Sequence, residues 1–289
     1  MIKKVTSDTQ VLELHDVLEL LPKRKDNSHK GSHGHLVIVA GDEGYGGAGI
    51  LCSESALKSG AGIVHLLTRE KYVPASLTRN PEIIACGGEN AQDLEPYFPL
   101  ADALICGPGM FKNFWSEQLL FKLLQHARAT QLKLVLDAGA LRLLCDKPFS
   151  AMELSNKLVI TPHPGEAAAL LGTTIEDVQG DRLGAAKELH DQFHAVVVLK
   201  GHATIVLDES NAFICETGGS ELAVAGTGDV LCGVIGSLLA QGLSPINAAK
   251  VGVALHSNAG NYFYKKTGSI GLTASELIEP IRQFINKQL

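Results

Sequence analysis

The residues best suited to chemistry in this 289-residue chain are Gly226, Thr227, Gly228 and Asp229, which stand directly ahead of a long apolar stretch. Aliphatic residues recur at helical spacing across residues 230–239, which predicts a buried helix that begins near Asp229. Glycines ahead of a helix let the backbone approach a ligand closely. The free amides of the first turn and the helix dipole both attract an anion such as a phosphate. The sequence therefore predicts an anion-binding helix end with a carboxylate beside it.

Two roles are open for Asp229. The positive end of the helix dipole would hold its carboxylate ionised, so that it could take a proton from a weakly acidic hydroxyl beside the phosphate. Aspartate is also a common cap of helix N-termini, and capping alone would explain its position. From these residues alone, the two roles are equally open.

Composition excludes several classes of protein. The chain is 45% hydrophobic and 19% charged with a net charge of −6, which is typical of a globular protein with a large core in one or two domains. No Lys/Arg-rich segment is longer than residues 23–25, so neither nucleic acid nor an anionic membrane is expected as a partner. The N-terminus lacks an apolar signal region, and no apolar run reaches about 18 residues. The six scattered cysteines form no CxxC pair and are expected to be reduced, which predicts a soluble cytoplasmic protein.

Short apolar runs alternate with glycine-containing loops and helical patterns. Strands are predicted at His35–Ala40, Ile63–Leu67, Ala103–Cys106, Leu132–Leu136, Leu158–Thr161 and Ala195–Leu199, with a hairpin formed by Thr204–Leu207 and Phe213–Cys215. Helices are predicted at Val11–Leu21, Ile50–Ser59, Ser116–Ala129, Ala140–Cys145, Ala167–Leu171, Pro245–Tyr264 and Ala274–Phe284. This alternation is typical of a parallel α/β sheet. No composition shift or linker interrupts it, so one domain is favoured.

Glycine, proline or polar residues follow four of the predicted strands, at residues 107–109, 137–139, 161–166 and 200–201. In an open parallel sheet the ligand crevice lies outside the carboxyl ends of the strands. These loops are therefore expected to share one edge of the sheet with Asp229.

Three side chains in these loops each have two possible roles. His163 lies between two prolines, so it belongs in a loop, where it would contact a ligand or form a structural hydrogen bond. Lys200 would meet a phosphate or end its strand in solvent. Asp137 would serve a metal–phosphate site or hydrogen-bond its own turn.

The loop at residues 41–49 contains a GxGxxG match at Gly44, Gly46 and Gly49, with the acidic Glu70 downstream. Such a pattern can indicate a dinucleotide-binding fingerprint, but there the first glycine follows its strand directly. The preceding strand here ends several residues earlier, so we favour a loop that lets a ligand approach Gly47 and Ala48. The P-loop, HExxH and GxSxG patterns are absent from the sequence.

Six segments together resemble the ADP/ATP-dependent NAD(P)H-hydrate dehydratases of the ribokinase-like superfamily. They are HKGSHGHLVIVAGDEGYGGAGI (29–50), ALICGPGM (103–110), LVLDAGAL (134–141), VITPHPGEAAALLG (159–172), VVVLKGHATIV (196–206) and AVAGTGDVLCGVIGSLLAQG (223–242). ITPHPGE, LKGxxT and GTGD in this order are specific for this branch, whereas GTGD alone indicates only a ribokinase-like protein.

The resemblance implies a single ribokinase-like domain over residues 1–289, with 1–25 as an N-terminal lead-in. Its fold is α/β, with a central, mostly parallel sheet flanked by helices on both faces. The implied reaction is the repair of hydrated NADH and NADPH. The terminal phosphate of ADP or ATP would activate the hydroxyl of the damaged nicotinamide ring, and elimination of phosphate would restore NAD(P)H.

By motif match, the resemblance also implies roles for individual residues. Asp229 would be the catalytic base, and the anion hole for the phosphoryl group would consist of Gly226, Thr227 and Gly228. The adenine nucleotide would contact Lys200, Gly201, His202, Ala203, Thr204 and Gly228. The hydrated dinucleotide would contact Ala48, Gly109, His163 and Asp229. Mg²⁺ would bridge the nucleotide phosphates, with no protein ligand to the metal implied.

The resemblance carries further expectations about partners. Relatives form oligomers, so a homo-oligomer of unspecified size is expected. Bacterial relatives are often fused to an N-terminal epimerase domain, and only about 25 residues precede the first shared motif, so the NAD(P)H-hydrate epimerase is expected to be a separate protein or absent. Residues 218–223 depart from the Gly-Asn-Pro-Gly-Met-Ala pattern of many relatives, which leaves a contact near 220–222 open.

Two other functions fit the same residues. A ribokinase-like kinase acting on a hydroxymethylpyrimidine, a thiazole or a similar alcohol would use Asp229 in the same way but would release a phosphorylated product. A catalytically idle nucleotide sensor is the second alternative, although it would have no need for the carboxylate of Asp229. The TPHPGE segment and the loop at 41–49 favour the dehydratase.

Overall fold

The structure, a computed structural model, describes residues 9–289. Its described residues form one ten-stranded sheet. The strands are β1 Thr9–Val11, β2 His35–Val39, β3 Ile63–Thr68, β4 Ile84–Gly87, β5 Ala103–Cys106, β6 Lys133–Leu136, β7 Leu158–Ile160, β8 Val196–Leu199, β9 Thr204–Leu207 and β10 Ala212–Cys215. Their order across the sheet is β1-β10-β9-β8-β7-β6-β5-β2-β3-β4. All neighbours are parallel except that β9 is antiparallel to both β8 and β10, which confirms the predicted mostly parallel sheet and its hairpin.

Helices cover both faces of the sheet. They are α1 Leu14–Val17, α2 Gly46–Lys58, α3 Val73–Arg79, α4 Ala91–Leu94, α5 Phe114–Thr130, α6 Ala138–Leu144, α7 Pro164–Leu171, α8 Ile175–Gly180, α9 Arg182–Phe193, α10 Thr227–Ala240, α11 Pro245–Thr267 and α12 Ile278–Ile285. Alternate residues of each central strand face opposite sides, so Leu36 and Ile38 pack with α2, α10 and α11, whereas Val37 and Val39 pack on the side of α5, α6 and α7. Both faces are therefore buried, which explains why the central strands read as continuous apolar runs.

The structure corrects the predicted elements at several places. The lead-in is not a single helix from Val11, because residues 9–11 add a parallel strand to the sheet edge and α1 begins only at Leu14. β4, α3, α4, α8 and α9 were not predicted, since their short or mixed sequences lack a clear apolar period. α2 begins at Gly46, inside the glycine-rich loop, and α10 begins at Thr227, two residues before Asp229. Residues 1–8 lie outside the described residues, so the extent of the single domain over 1–289 stays a prediction.

Four of the six cysteines are buried, while Cys86 is half-buried and Cys145 is exposed. All six are free thiols. Across residues 9–289, no helix combines the length and the apolar composition needed to cross a membrane.

Helices α2 and α10 lie against each other in parallel, so both N-termini point to the carboxyl edge of the sheet. Residues early in α10 contact residues early in α2, and later residues contact later ones. Gly226 lies near Leu51, and Ser237 Oγ accepts from the amide of Ala61 at 3.0 Å. Between these points, a methyl group on Gly233 would overlap the carbonyl oxygen of Cys52. Glycine at 233 therefore allows the close approach of the two helices.

We expect Gly233→Ala to lower the free energy of unfolding by about 1–3 kcal/mol, because the added methyl group forces the two helices apart. Urea denaturation measures the effect. Gly180→Ala is the matched control, since Gly180 is exposed, has no atom near its missing side chain and should change stability by less than about 0.5 kcal/mol. Equal stability of the two variants would contradict the close packing at Gly233.

Candidate active site

The loops after β6, β7 and β8 meet at one edge of the sheet, as the sequence predicted. The ammonium group of Lys200, directly after β8, lies 2.8 Å from Asp137 Oδ1 and 3.9 Å from Glu166 Oε2. The amide of Lys200 also donates to the carbonyl oxygen of Pro162 at 2.8 Å. Three strand ends are thus joined through one lysine.

Lys200 does not end its strand in solvent, because only 18% of its side chain is exposed. Burial alone would lower the pKa of Lys200, but the carboxylates of Asp137 and Glu166 raise that pKa above its usual value. Asp137 forms no side-chain hydrogen bond to its own turn, so its partner is this lysine. The charge of Lys200 is therefore held by two buried carboxylates.

His163 is a hydrogen-bonded residue at the N-terminus of α7. Its Nδ1 accepts from the amides of Gly165 and Glu166 at 3.0 and 3.3 Å, and its Nε2 lies 3.2 Å from Glu166 Oε1. The backbone amide of His163 donates to Glu166 Oε2 at 2.9 Å. Burial raises the pKa of Glu166, but the hydrogen bonds from His163 and the charge of Lys200 outweigh it and lower the pKa overall. The structural role of His163 is confirmed, and its exposed face still leaves a ligand contact as a prediction.

Asp229 stands in the first turn of α10 without capping it. The N-cap is Gly226, whose φ of +94° favours glycine, and no side-chain hydrogen bond closes the cap. The capping role is therefore wrong.

The expectation that Asp229 is held ionised is wrong as well. Burial and the nearby negative charges of Asp137 and Glu166 raise the pKa of Asp229 to about 7, against the opposing charge of Lys200. The dipole of the helix is a weaker influence than these neighbours. A pKa near neutrality suits a group that must accept and release a proton.

The turn ahead of Asp229 offers free amides. Thr227 Oγ1 donates to the carbonyl oxygens of Leu222 and Val224 at 3.0 and 3.1 Å, which leaves the backbone as the available donor. Within the described chain, the amides of Thr227, Gly228 and Asp229 have no hydrogen-bond acceptor. Gly228 also approaches Lys200, since a methyl group there would lie 3.4 Å from its Nζ. These features fit the predicted anion hole.

His256 supports this turn from α11. Its Nε2 lies 2.9 Å from the carbonyl oxygen of Thr227. Burial lowers the pKa of His256 to about 4, so the ring is neutral near pH 7 and its Nε2–H donates to Thr227. Sequence analysis missed both His256 and Glu166, because nothing local to either residue shows what it contacts.

Two cavities open at the helix end and share Lys200, Leu222, Ala223, Thr227 and Gly228. The first, of about 480 Å³, is also lined by Gly201, His202 and Thr204. The second, of about 370 Å³, is also lined by Asp137, His163, Glu166 and Asp229. Residues 218–220, where the sequence departs from many relatives, line the first cavity.

Ala48 and Gly109 are brought together on the same edge, at the N-terminus of α2. Gly109 has a φ of +64°, and a methyl group there would lie 2.8 Å from Ala48 Cβ. Neither residue lines the two cavities. The structure thus pairs two predicted contacts of the dinucleotide without placing them against Asp229.

Asp42, which sequence analysis did not single out, anchors the glycine-rich loop ahead of Ala48. Its buried carboxylate accepts from Arg69 Nε at 2.9 Å, from Ser116 Oγ at 3.2 Å and from Asn113 Nδ2, while its amide donates to Gly109. Burial raises the pKa of Asp42, but the hydrogen bonds from the Glu43 amide, Asn113 and Arg69, together with the charge of Arg69, lower it overall. The glycine-rich loop at residues 41–49 is therefore held in one conformation by these hydrogen bonds.

The sequence model of the NAD(P)H-hydrate dehydratase family matches residues 36–283. The chain belongs to this family. It is 40% identical to the bifunctional NAD(P)H-hydrate repair enzyme Nnr of Coxiella burnetii over 98% of this chain and 57% of that protein. The chain thus spans about half the length of the curated relatives it matches.

Solved structures confirm the ribokinase-like fold. A ribokinase-like superfamily protein from Enterococcus faecalis superposes with a TM-score of 0.89 at 27% identity, covering 100% of this chain and 99% of that chain. The ADP/ATP-dependent NAD(P)H-hydrate dehydratase of Bacillus subtilis, co-crystallized with ATP/Mg²⁺, gives a TM-score of 0.86 at 26% identity. That match covers 99% of this chain and 100% of the Bacillus protein.

We expect Lys200→Met to lower the free energy of unfolding by about 3–5 kcal/mol, because it leaves Asp137 and Glu166 buried without a counter-charge. Urea denaturation at pH 7 measures it. Lys265→Met, which removes an exposed lysine that forms no ion pair in the described structure, should change stability by less than about 0.5 kcal/mol. A loss no larger than that control would contradict the buried ion cluster.

The raised pKa of Asp229 predicts how stability depends on pH. Below pH 3.8 the carboxyl group is protonated in both folded and unfolded states; between 3.8 and about 7 only the unfolded chain ionises, so the wild type loses stability as the pH rises. The advantage of Asp229→Asn over wild type should therefore grow from pH 4 to about 7 and then level, reaching at most about 4 kcal/mol. Denaturation midpoints across this range test it, with the exposed Asp26→Asn as control. A stability difference between Asp229→Asn and the wild type that does not change with pH would refute the raised pKa of Asp229.

Proposed function

We propose that this protein dehydrates hydrated NADH or NADPH at the expense of an adenine nucleotide and so repairs the damaged cofactor. The observation that carries the proposal is the position of Asp229. Its carboxylate, which has a pKa of about 7, lies beside the free amides at the N-terminus of α10, and residues of this helix end line both cavities. Membership of the NAD(P)H-hydrate dehydratase family supports the substrate, and the Bacillus subtilis structure, named for ADP/ATP dependence, supports the co-substrate.

The chemistry follows from this arrangement. Asp229 takes the proton from the hydroxyl group on the hydrated ring, and the oxygen bonds to the terminal phosphorus while the phosphoanhydride bond breaks and the shortened nucleotide leaves, as AMP from ADP or as ADP from ATP. The free amides of Thr227 and Gly228, within the proposed anion hole of residues 226–228, hold the charge that builds on the phosphoryl oxygens. The ring carbon–oxygen bond then breaks, phosphate leaves, and loss of a proton from the adjacent carbon restores the double bond of NAD(P)H. The protein supplies a base, positioning and electrostatics, and no nucleophile of its own.

The adenine nucleotide is proposed to occupy the 480 Å³ cavity along residues 200–204 and Gly228. The hydrated ring would lie in the 370 Å³ cavity beside His163 and Asp229, with Ala48 and Gly109 contacting the rest of the dinucleotide. Because Lys200 is paired with Asp137, its segment would contact the nucleotide mainly through the backbone.

Mg²⁺ is proposed to accompany the nucleotide. In the described residues no group of three or more His, Cys, Asp or Glu side chains is arranged to hold a metal. Mg²⁺ commonly binds substrate phosphates with one or two carboxylates, and Asp137 and Glu166, which both face Lys200 and line the 370 Å³ cavity, would serve in that assisting role. When bound, the ion would neutralise phosphate charge.

Several expectations of the sequence extend beyond the site. A functional partnership with an NAD(P)H-hydrate epimerase is supported by relatives named as bifunctional repair enzymes. A homo-oligomer and a cytoplasmic location stay predictions, as do the choice between ADP and ATP and between the NADH and NADPH hydrates.

An absorbance assay at 340 nm tests the function. Protein mixed with hydrated NADH, Mg²⁺ and either ADP or ATP should show a rise that requires nucleotide, and the two rates rank the two donors. Folded protein that binds nucleotide but gives no rise with either the NADH hydrate or the NADPH hydrate would refute dehydration. A screen of hydroxymethylpyrimidine and thiazole alcohols for phosphorylated products would then test the kinase alternative.

Asp229→Ala should reduce the rate by several orders of magnitude while leaving nucleotide binding largely intact, because it removes the base and keeps the amides. For the wild type, kcat/KM should rise with pH and level above about 7, as the base ionises. Retention of most activity by Asp229→Ala would exclude Asp229 as the base, and would leave the assignment of the substrate untouched.

A further inference from the structure

Arg182, the first residue of α9, lies behind the segment of residues 200–204. Its Nη2 donates to the carbonyl oxygen of Leu199 at 3.1 Å and to those of Lys200 and Ala203 at 3.4 Å. Its Nη1 donates to Gln179 Oε1 at 3.2 Å. One guanidinium group thus donates hydrogen bonds to three backbone carbonyl oxygens in and next to this segment.

The charge of Arg182 has no counterpart in the described chain. No carboxylate of residues 9–289 forms an ion pair with it, whereas the neighbouring Lys200 is paired with Asp137 and Glu166. A half-buried cation held only by carbonyl dipoles keeps its positive potential. Arg182 is therefore a net positive charge directly behind the wall of the 480 Å³ cavity.

The hydrogen bonds of Arg182 also set the direction of amides. In a planar trans peptide the carbonyl and the next amide point to opposite sides. Because the carbonyl oxygen of Lys200 turns to Arg182, the amide of Gly201 turns away from it. Gly201 lines the cavity, and the amides of Gly201, His202 and Ala203 find no acceptor in the described structure.

The backbone of this segment is unusual and must be held in place. Gly201 has a φ of +137° and Ala203 has a φ of +56°, so two of its residues occupy conformations that L side chains rarely adopt. A methyl group on Gly201 would lie 2.8 Å from Nη1 of Arg182, so the guanidinium packs directly beneath the turn. Contact with Arg182 stabilises this shape.

We propose that Arg182 is a positioning residue for the nucleotide, which it serves by orienting the amide of Gly201, by holding the shape of the turn that carries the free amides of residues 201–203, and by adding positive potential behind that turn. It contacts no reacting atom. Its ligand class is a nucleoside di- or triphosphate, and this inference rests on the proposed function. Arginine suits the task better than lysine because its planar fork donates to several acceptors in fixed directions.

Arg182→Lys and Arg182→Met test the inference, with Lys187→Met on the exposed face of α9 as the matched control. Equilibrium dialysis with ADP and with ATP measures binding directly, and steady-state assays give KM and kcat. We expect Kd and KM for nucleotide to rise about 10–100-fold in Arg182→Met and less in Arg182→Lys, with kcat and KM for the hydrate within about threefold of wild type. Lys187→Met should match the wild type.

The possible outcomes separate the two proposals. Wild-type protein that binds neither ADP nor ATP would refute the proposed function. Wild-type protein that binds nucleotide, with an unchanged Kd in Arg182→Lys and Arg182→Met, would refute the role of Arg182 alone. A loss of thermal stability with unchanged nucleotide Kd, or an equal fall in kcat for both substrates, would show a merely structural residue and would also overturn the inference. Arg182→Lys keeps the charge and serves if Arg182→Met does not fold.

Discussion

The site depends on one buried ion cluster, in which the ammonium group of Lys200 is shared by Asp137 and Glu166. Each member stands after a different parallel strand, so the cluster ties three strand ends to one another. Removing a partner from such a cluster exposes a buried charge to an apolar surrounding, which is far costlier than the loss of a surface ion pair. Burial raises the pKa of Asp229, and the cluster adds to this effect, because its two carboxylates disfavour a third negative charge more than Lys200 favours it.

The pairing of α2 and α10 provides the second constraint. Gly233 lets the helices approach closely, and their parallel direction brings two N-termini to the same edge of the sheet. One end carries Asp229 and the free amides, and the other carries Ala48 beside Gly109. The helix interface therefore holds together the two regions proposed to act on one large substrate.

At this edge of the sheet, side chains and backbone have different roles toward an anion. The charged side chains nearest to Asp229 are largely paired with one another, so the donors left for an anion are mainly amides of residues 201–203 and 227–229. Amides fixed by surrounding structure need little rearrangement when charge develops on a ligand, which favours their use for phosphoryl groups. Arg182 and His256 act on these two sets of amides from behind, each through carbonyl oxygens.

Much of the framework could be predicted from local patterns in the sequence. Continuous apolar runs predicted most central strands, because a strand buried on both faces carries apolar residues at successive positions instead of alternating with polar ones. Glycine and proline marked the strand ends, and the helix after Gly226 followed from its apolar period. β4 and residues 9–11 were missed because short edge strands owe their structure to a neighbour in the sheet rather than to their own residues.

The electrostatics of the site, in contrast, could not be predicted before the folded arrangement was known. A carboxylate near a helix N-terminus is expected to be ionised, yet burial beside Asp137 and Glu166 raises the pKa of Asp229 to about 7. Likewise, Lys200 is held by carboxylates from distant parts of the chain, and Arg182 acquires its role from carbonyls of a segment that follows β8. Local sequence specifies which groups exist and which element carries them. Proton affinity and charge depend on distances and burial between groups far apart in the chain, and these are fixed only when the sheet assembles.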